Sequence, residues 1–408
     1  MNTGSSRAAS YLNALGLVCA LGDDLAQIRS AVFAATPGGL TESAAFSDSV
    51  LQLGQVRTKL ADLHVLPAPQ HSRNNALLLS ALAQIRAKVD ATIARFGAHR
   101  IAVVLGTSTS GIGASELAIS ALKKHGKLPA EFDLAQQEIG SPAIALAGLL
   151  KITGPAYVIS TACSSSAKAL ASAARLLQLG VCDAVLCGGV DSLCKFTVAG
   201  FAALDSISAA RCNPFSANRT GINIGEGAAL FLMTREPAEV SPEGDTARNV
   251  RLLGWGECSD AHHISAPQPS GAGALRAMQL ALARAQITAD AIDYVNLHGT
   301  ATPQNDAMEA NAANTLFGAH TPMSSTKPLT GHTLGAAGAI EAALCYLSLT
   351  QNPLGNILPH WWDGRTDPNL APLHLAAPGL QLGRPLNYVL SNSFAFGGSN
   401  ASLVLAST

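Results

Sequence analysis

The sequence from Val158 to Ala169 reads Val-Ile-Ser-Thr-Ala-Cys-Ser-Ser-Ser-Ala-Lys-Ala, with Cys163 at its centre. The apolar residues Tyr157 to Ile159 predict a buried strand, and Ala167 to Leu179 carries helix formers at helical spacing. Cys163 is therefore expected at a helix N-terminus, where the helix dipole makes a thiolate form more readily than at the usual cysteine pKa of about 8.5. Its small neighbours leave room for a substrate carbonyl, as in other nucleophile elbows. The pattern predicts that Cys163 is a nucleophile.

A single cysteine is more often a small core residue than a nucleophile, so the assignment of Cys163 depends on a partner base elsewhere in the chain. The other cysteines are scattered, and no Cys-x-x-Cys pair indicates a metal site or a redox motif. We interpret them as core residues: Cys19, Cys182, Cys187, Cys194, Cys212, Cys258 and Cys345.

The composition bounds the class of protein. A chain of 408 residues is long enough for two domains or one duplicated unit. Charged residues make up 13% and hydrophobic residues 48%, against a usual charged share of roughly 25%. We therefore expect part of the surface to be covered by a second subunit, a homodimer being the simplest case. The net charge of −1 argues against nucleic-acid binding.

The first residues superficially resemble a secretory signal, because Arg7 precedes the apolar stretch Ala8 to Leu21. Cys19 follows Val18, whereas lipid attachment favours a small residue at that place. We interpret the region as a first strand, a turn and a first helix over Leu25 to Ala35. No later run reaches the roughly 20 apolar residues that span a membrane. A cytoplasmic protein with reduced thiols and no membrane partner is expected.

Strands alternate with helices along the first half, which predicts an α/β protein with a doubly wound, mostly parallel sheet. The stretch Asp205 to Asn223 has weak periodicity and reads as an irregular excursion. The order of strands and helices roughly repeats after residue 250. We therefore divide the chain into residues 1–250, which carry the cysteine, and residues 251–408.

Two histidines are candidate partners for the cysteine. His298 follows the predicted strand Ile292 to Leu297, and His332 begins the predicted glycine- and alanine-rich helix Gly331 to Leu349. Ligands of open α/β sheets bind where strands end. Either histidine alone is more often structural, but two of them at element ends, each beside glycine, favour a site.

Four motifs resemble those of the β-ketoacyl-acyl-carrier-protein synthases of types I and II, the Cys-His-His branch of the thiolase-like superfamily. They are Ser160–Ser166, His298–Thr302 with Asn305 and Asp306, Ser325–His332 with Gly335–Gly338, and Asn392–Asn400. The resemblance implies an α/β thiolase-like fold of two similar halves, with layers in the order αβαβα and mostly parallel central sheets. Type III enzymes carry one histidine and an asparagine, and degradative thiolases carry a second cysteine that is missing near Phe396.

The resemblance also implies a reaction, the decarboxylative Claisen condensation of an acyl chain with malonyl-acyl-carrier protein in fatty acid, polyene or polyketide synthesis. Cys163 would accept the acyl chain, while its own backbone N–H and that of Phe396 hold the oxyanion. His298 and His332 would stabilise the enolate left by loss of carbon dioxide. Phe396 would also gate the acyl chain.

The remaining site residues follow from the same resemblance. Lys327 is expected to pair with Glu341 rather than to lie on the surface. Thr300 and Thr302 would bind pantetheine, unless they cap the next helix. Supporting roles fall to Phe394 and to two acidic residues that a helix's acidic first turn explains nearly as well, Asp306 and Glu309.

The implied partners are an acidic acyl-carrier protein and a second subunit, identical or a related ketosynthase-like chain. Phosphopantetheine arrives on the carrier, so no tightly bound cofactor and no metal are expected. Lys123, Lys124 and Lys127 are the best candidates for docking the carrier, although a lysine-rich helix end is usually a solvated surface.

The chain departs from the family pattern at several positions. It has Pro214-Phe-Ser216 and Arg219-Thr-Gly221 where many relatives have Pro-Phe-Asp and Arg-Asp-Gly, and Ser166 where glycine is common. This combination resembles ketosynthases of bacterial aryl-polyene pigment clusters. Two alternatives stay open: a chain-length partner subunit, which usually lacks the nucleophile, and an acyltransferase that does not elongate.

Overall fold

The structure, a computed structural model, describes residues 10–238 and 248–408. The strands in these ranges are β1 (Tyr11–Val18), β2 (Thr41–Ser43), β3 (Leu51–Leu53), β4 (Ile101–Gly106), β5 (Ala156–Ile159), β6 (Ala184–Asp191), β7 (Gly227–Thr234), β8 (Val250–Ser259), β9 (Tyr294–Asn296), β10 (Pro322–Ser324), β11 (His374–Leu375), β12 (Tyr388–Ala395) and β13 (Ser399–Ser407). The α-helices are α1 (Leu25–Val32), α2 (Arg73–Phe96), α3 (Ile112–His125), α4 (Ser141–Leu150), α5 (Ser165–Gln178), α6 (Lys195–Ala202), α7 (Ala272–Ala285), α8 (Pro303–Phe317), α9 (Lys327–Thr330) and α10 (Ala337–Leu349).

One mixed sheet of 11 strands runs through this part of the chain in the order β11-β10-β9-β12-β13-β8-β1-β7-β6-β4-β5. The set β1, β4, β5, β6 and β7 and the set β8, β9, β10, β12 and β13 follow the same spatial order. In each set the third strand lies furthest out, followed by the second, fourth, fifth and first. The predicted α/β class with two similar halves is confirmed.

Strand direction changes across the sheet. The pairs β4–β5, β4–β6, β9–β10, β9–β12 and β10–β11 are parallel, whereas the strands between β6 and β12 pair antiparallel. The hairpin of β12 and β13 is antiparallel because a short connection joins its strands. The carboxyl ends of β9, β10 and β12 lie at one edge because these strands are parallel. The segments that follow them contain His298, Lys327 and Phe396.

Two buried helices bring the halves together. Helices α5 and α10 contact each other, and each contacts strands of both halves. A Cβ atom on Gly338 would lie 2.8 Å from the Cβ of Ala167, so only glycine allows this approach. Ser166 accepts a hydrogen bond of 2.8 Å from the N–H of Ala339. The start of α5 is therefore fixed beside the start of α10.

Some element bounds differ from the sequence predictions. The helix predicted over residues 331–349 begins at Ala337, because Gly331 has a φ of +70° and a short 3-10 turn, Leu334–Ala336, comes first. The first strand and first helix are present, and β1 lies near the middle of the sheet. Helix α6, just before the irregular excursion, was not predicted. Across the described ranges, no helix combines the length and hydropathy of a membrane span.

Candidate active site

Cys163 lies in a sharp turn between β5 and α5. The preceding residue, Ala162, has a φ of +52°, a strained value for a residue with a side chain. The Ser165 hydroxyl donates to the carbonyl of Ala162 at 2.6 Å and accepts from the N–H of Thr161 at 2.8 Å. This strained and bonded turn is the geometry of a nucleophile elbow.

Three predicted side chains converge at this turn. The Nε2 atom of His332 lies 3.1 Å from Sγ of Cys163. The ring of His298 stands at 87° to the ring of His332, with 5.4 Å between centroids. Sγ and one ring nitrogen of each histidine lie within 4.8 Å of one another. One small substrate group can therefore contact all three.

Hydrogen bonds assign the tautomer of both histidines. The N–H of Leu334 donates to Nδ1 of His332 at 3.1 Å, and Nζ of Lys327 lies 3.3 Å from Nδ1 of His298. Because each Nδ1 accepts, the proton of each neutral ring is on Nε2. Burial first, and then the charge of Lys327, hold the pKa of both imidazoles well below the usual range. The two rings are thus neutral hydrogen-bond donors.

Lys327 is 1% exposed and lies inside the protein rather than on its surface. Its Nζ is 2.5 Å from Oε1 of Glu341, which is 2% exposed, and it also donates to the carbonyl oxygen of His298. Burial raises the pKa of Glu341, and the ammonium of Lys327 opposes that shift. Cys163, His298 and His332 have the spacing of a metal site, but the ammonium beside His298 would repel a cation.

The expectation that Cys163 readily forms a thiolate is wrong. Burial raises the pKa of its thiol to about 11, although Lys327 and the N–H groups of Phe396 and Cys163 lower it. The side chain is only 6% exposed, so loss of hydration outweighs the charge of Lys327 and the two N–H groups. The resting group is a thiol beside a neutral His332.

This raised pKa predicts an unusual pH dependence of alkylation. The rate of iodoacetamide labelling of Cys163 should rise about tenfold per pH unit up to about pH 10, because only the thiolate reacts. A short cysteine peptide, the control, should level off above its pKa of about 8.5. The measurement is the labelled fraction of the Cys163 peptide by mass spectrometry. A plateau for Cys163 near neutral pH would contradict the assignment.

Two buried carboxylates hold the turn that carries His298. Glu309 accepts hydrogen bonds of 2.7 Å from the N–H groups of both His298 and Gly299. Asp306 accepts from Phe215 at 2.7 Å and Ala301 at 3.2 Å. Burial raises the pKa of Asp306 to about 6 and that of Glu309 to about 7. Asp306 lies in the first turn of α8 and Glu309 lies beyond it, and both accept from N–H groups outside the helix.

A cavity of about 300 Å³ opens over the three side chains. Thr300 and Thr302 lie on its wall, with 2.9 Å between their hydroxyl oxygens. Thr302 precedes α8, but its side chain makes no capping bond, so helix capping does not account for it. Phe394 and Phe396 also line the cavity, and the Phe396 ring lies 5.7 Å from that of Phe201.

The predicted docking lysines lie elsewhere. Lys123 and Lys124 are exposed in the last turn of α3, and Lys127 is exposed just after it. None of the three lines the cavity. The structure therefore does not bring them into the group formed by the other site residues.

Sequence reasoning missed Asp191, a buried residue at the end of β6. Its carboxylate accepts from the N–H groups of Ser108 and Thr109 and from that of Ala336. It therefore joins the loop after β4 to the turn that follows His332. An aspartate after an apolar strand carries no local signal of such a role, because its partners are distant in sequence.

A cysteine in a strained elbow, with two neutral imidazole donors beside it, defines a site for thioester chemistry. Residues 67–238 match the family described as "Beta-ketoacyl synthase, N-terminal domain" and residues 250–359 match "Beta-ketoacyl synthase, C-terminal domain". A 3-oxoacyl-[acyl-carrier-protein] synthase 2 of Staphylococcus aureus is 33% identical over 75% of this chain and 77% of its own length. The chain belongs to the β-ketoacyl synthase family.

The share of the relative's length that this chain matches differs from one relative to another. A 3-oxoacyl-[acyl-carrier-protein] synthase 2 of Rhizobium meliloti is 39% identical over 62% of this chain, which spans 61% of that relative. Among solved structures, the ketosynthase ApeO of Xenorhabdus doucetiae, in complex with its chain length factor ApeC, is 42% identical. It has a TM-score of 0.89 and both chains are covered completely. A β-ketoacyl synthase of Burkholderia phymatum is 28% identical with a TM-score of 0.83, covering 98% of this chain and 99% of its own.

Proposed function

We propose that this protein is an acyltransferase that condenses an acyl chain held on Cys163 with malonyl-acyl-carrier protein, releasing carbon dioxide and β-ketoacyl-acyl-carrier protein. The observation that carries the proposal is the 3.1 Å contact between Nε2 of His332 and Sγ of Cys163, with His298 beside both. A nucleophile that stores the chain and two donors that stabilise an enolate are the groups this reaction needs.

In the first step the sulfur of Cys163 attacks the acyl thioester on the carrier. The thiol proton is transferred to the departing pantetheine sulfur, while Nε2–H of His332 donates a hydrogen bond to the sulfur of Cys163. The backbone N–H groups of Cys163 and Phe396 hold the oxyanion, a role supported by their interaction with the same sulfur. The products are acyl-Cys163 and a free carrier thiol.

In the second step malonyl-carrier protein loses carbon dioxide, and the electron pair of the broken carbon–carbon bond stays on the remaining thioester as an enolate. Nε2–H of His298 and Nε2–H of His332 donate to the enolate oxygen. The enolate carbon then attacks acyl-Cys163, and the thiolate leaves. Both rings can act as donors without first gaining a proton, because burial, and then the charge of Lys327, keep them neutral.

The remaining residues hold the substrate and the histidines. Thr300 and Thr302 bind the pantetheine arm from the cavity wall, a role supported by their position there. Phe396 gates the acyl chain, and Phe394 packs 6.3 Å from the ring of His298. Lys327 fixes the orientation of His298 by direct contact, and Glu341 holds Lys327 in place.

Release of carbon dioxide from malonyl-carrier protein tests this function. The purified protein should release carbon dioxide in proportion to the β-ketoacyl-carrier formed. An acyltransferase that does not elongate would load Cys163 without releasing carbon dioxide. A chain-length partner would do neither, so absence of carbon dioxide from the wild-type protein would reject the proposal.

A second ketosynthase-like subunit is the proposed partner besides the carrier. Strand β5 lies at the edge of the large sheet, and exposed edges invite pairing with another chain. Large apolar side chains are exposed at Leu117, Ile144 and Phe196, consistent with a covered face. The related ApeO structure is a complex with a chain length factor. The resemblance to aryl-polyene ketosynthases favours a related subunit and a conjugated acyl chain.

The proposed place of action is the cytoplasm. All eight cysteines are free, as in a reducing compartment.

Docking of an acidic carrier predicts an effect of charge reversal. Replacing Lys123, Lys124 and Lys127 together by Glu should raise the KM for malonyl-carrier protein about tenfold and leave kcat nearly unchanged, because rim charges act mainly on association. The control is Lys88→Glu, an exposed position on α2. Activity towards a short soluble thioester should not change. An equal loss of activity towards soluble and carrier-bound thioesters would show that these lysines do not dock the carrier.

A further inference from the structure

The irregular excursion contributes to the site through residues 213–222. The ring of Phe215 would lie 3.0 Å from a Cβ atom on Gly299, the residue after His298. The N–H of Phe215 donates to Asp306, which also accepts from Ala301. Two later residues of the segment, Thr220 and Ile222, line the cavity. The position of this segment therefore affects both the turn at residues 298–301, here called the His298 turn, and the cavity wall.

Phe215 has a φ of +60°, which is unfavourable for an aromatic residue. Such a conformation persists only where surrounding contacts fix it. Its own segment, residues 213–222, contains no carboxylate, and Ser216 and Thr220 are neutral. Asp306 accepts from the N–H of Phe215, and the ring of His360 lies 6.0 Å from its ring, so the residues that follow Phe215 need contacts of their own.

Residues 363–367, here called the acidic strap, hold the residues that directly follow Phe215. Asp363 accepts hydrogen bonds of 2.7 Å from the hydroxyl of Ser216 and from the side-chain amide of Asn218. Asp367 forms an ion pair of 2.7 Å with Arg219, and both side chains are about nine-tenths buried. The strap lies beyond residue 359, where the match to the family's C-terminal domain ends.

Backbone contacts join the same two segments. The N–H of Ala217 donates to the carbonyl of Arg365 at 2.9 Å, and Ser216 forms an antiparallel bridge with Thr366. Loss of hydration raises the pKa of the exposed Asp363 carboxyl, but hydrogen bonds from Arg365, Asn218 and Ser216 outweigh it and lower the pKa to about 2. The carboxylate is thus charged at any physiological pH.

We propose that the acidic strap is a positioning element for condensation, with Asp363 and Asp367 supplying from a distant loop the carboxylates that residues 213–222 lack. The strap acts through Phe215 on the His298 turn, and through Thr220 and Ile222 on the cavity wall. This inference rests on the proposed condensing function. It concerns His298, which stabilises the enolate, more than His332, which contacts the sulfur.

A carboxylate swap tests the strap. Asp363→Ser should lower kcat for condensation about tenfold, because small displacements of catalytic groups are costly, and should change the rate of acyl loading less than about threefold. Ser216→Asp should lower kcat similarly, because it places a second carboxylate against Asp363. The double variant should recover to within about threefold of the wild type, since one carboxylate remains at the contact.

Two further variants complete the test. Asp367→Asn keeps the shape of the strap, removes its charge beside Arg219 and should lower kcat about threefold. Asp90→Ser, which removes an exposed ion pair with Arg86 on α2, should leave kcat unchanged. Circular dichroism checks that each variant is folded.

The outcomes separate this inference from the proposed function. Wild-type protein that releases no carbon dioxide rejects the function itself. If the wild-type protein is active and the single variants keep its full kcat, the strap has no positioning role. A double variant no better than the worse single one also overturns it, as does equal loss of loading and condensation.

Discussion

Cys163→Ala should abolish acyl loading while leaving measurable release of carbon dioxide from malonyl-carrier protein. Loss of an enzyme's nucleophile typically reduces turnover by about a millionfold, because no other group forms the covalent intermediate. Decarboxylation needs the two imidazole donors, which the substitution does not remove. The measurements are intact-protein mass after incubation with acyl-carrier protein, and carbon dioxide release in the same sample.

Cys258→Ala is the matched control, because Cys258 is more exposed than Cys163 and does not line the cavity. Its loading should equal that of the wild type. If Cys163→Ala still gains the mass of the acyl chain, or if Cys258→Ala does not, Cys163 is not the nucleophile.

The second large effect concerns the two histidines. His298→Ala and His332→Ala should each lower carbon dioxide release about 100- to 1000-fold, the usual effect of removing one donor to a developing oxyanion. Loading should separate the two variants. His332 contacts the sulfur at 3.1 Å, whereas His298 contacts Lys327, so only His332→Ala should also slow acyl transfer.

His298→Asn provides the control for this pair, because its amide retains a neutral donor in a similar place. Its rate of carbon dioxide release should be higher than that of His298→Ala. Full decarboxylation in either alanine variant would show that its ring does not stabilise the enolate. Equal loading defects in both variants would contradict the assignment of His332 alone to the sulfur.

The sequence predicted most of the elements that position the site, because their periodicity is local. The strand predicted over Tyr157 to Ile159 is β5, Ala156–Ile159, and the helix predicted over Ala167 to Leu179 is α5, Ser165–Gln178. It also named the side chains that converge at Cys163, since their motifs specify residue types at the ends of strands and helices.

What it could not predict depends on contacts between distant residues. The thiol pKa of Cys163 was expected to fall, because the helix N-terminus is visible in sequence whereas the depth of burial is not. The strap was missed for a similar reason, since Asp363 and Ser216 are 147 residues apart in the chain. Departures from a family pattern were visible at Ser216, but the compensating carboxylates were not.

The most direct test follows the carbon atoms of one turnover. Wild-type protein loaded with an acyl chain is mixed with malonyl-carrier protein labelled with heavy carbon at the methylene position. The mass of the carrier-bound product is then measured by mass spectrometry. The expected product is a β-ketoacyl chain two carbons longer that contains the label, with one carbon dioxide released for each chain. Return of the unextended acyl chain to the carrier, with malonyl-carrier protein intact, would contradict it.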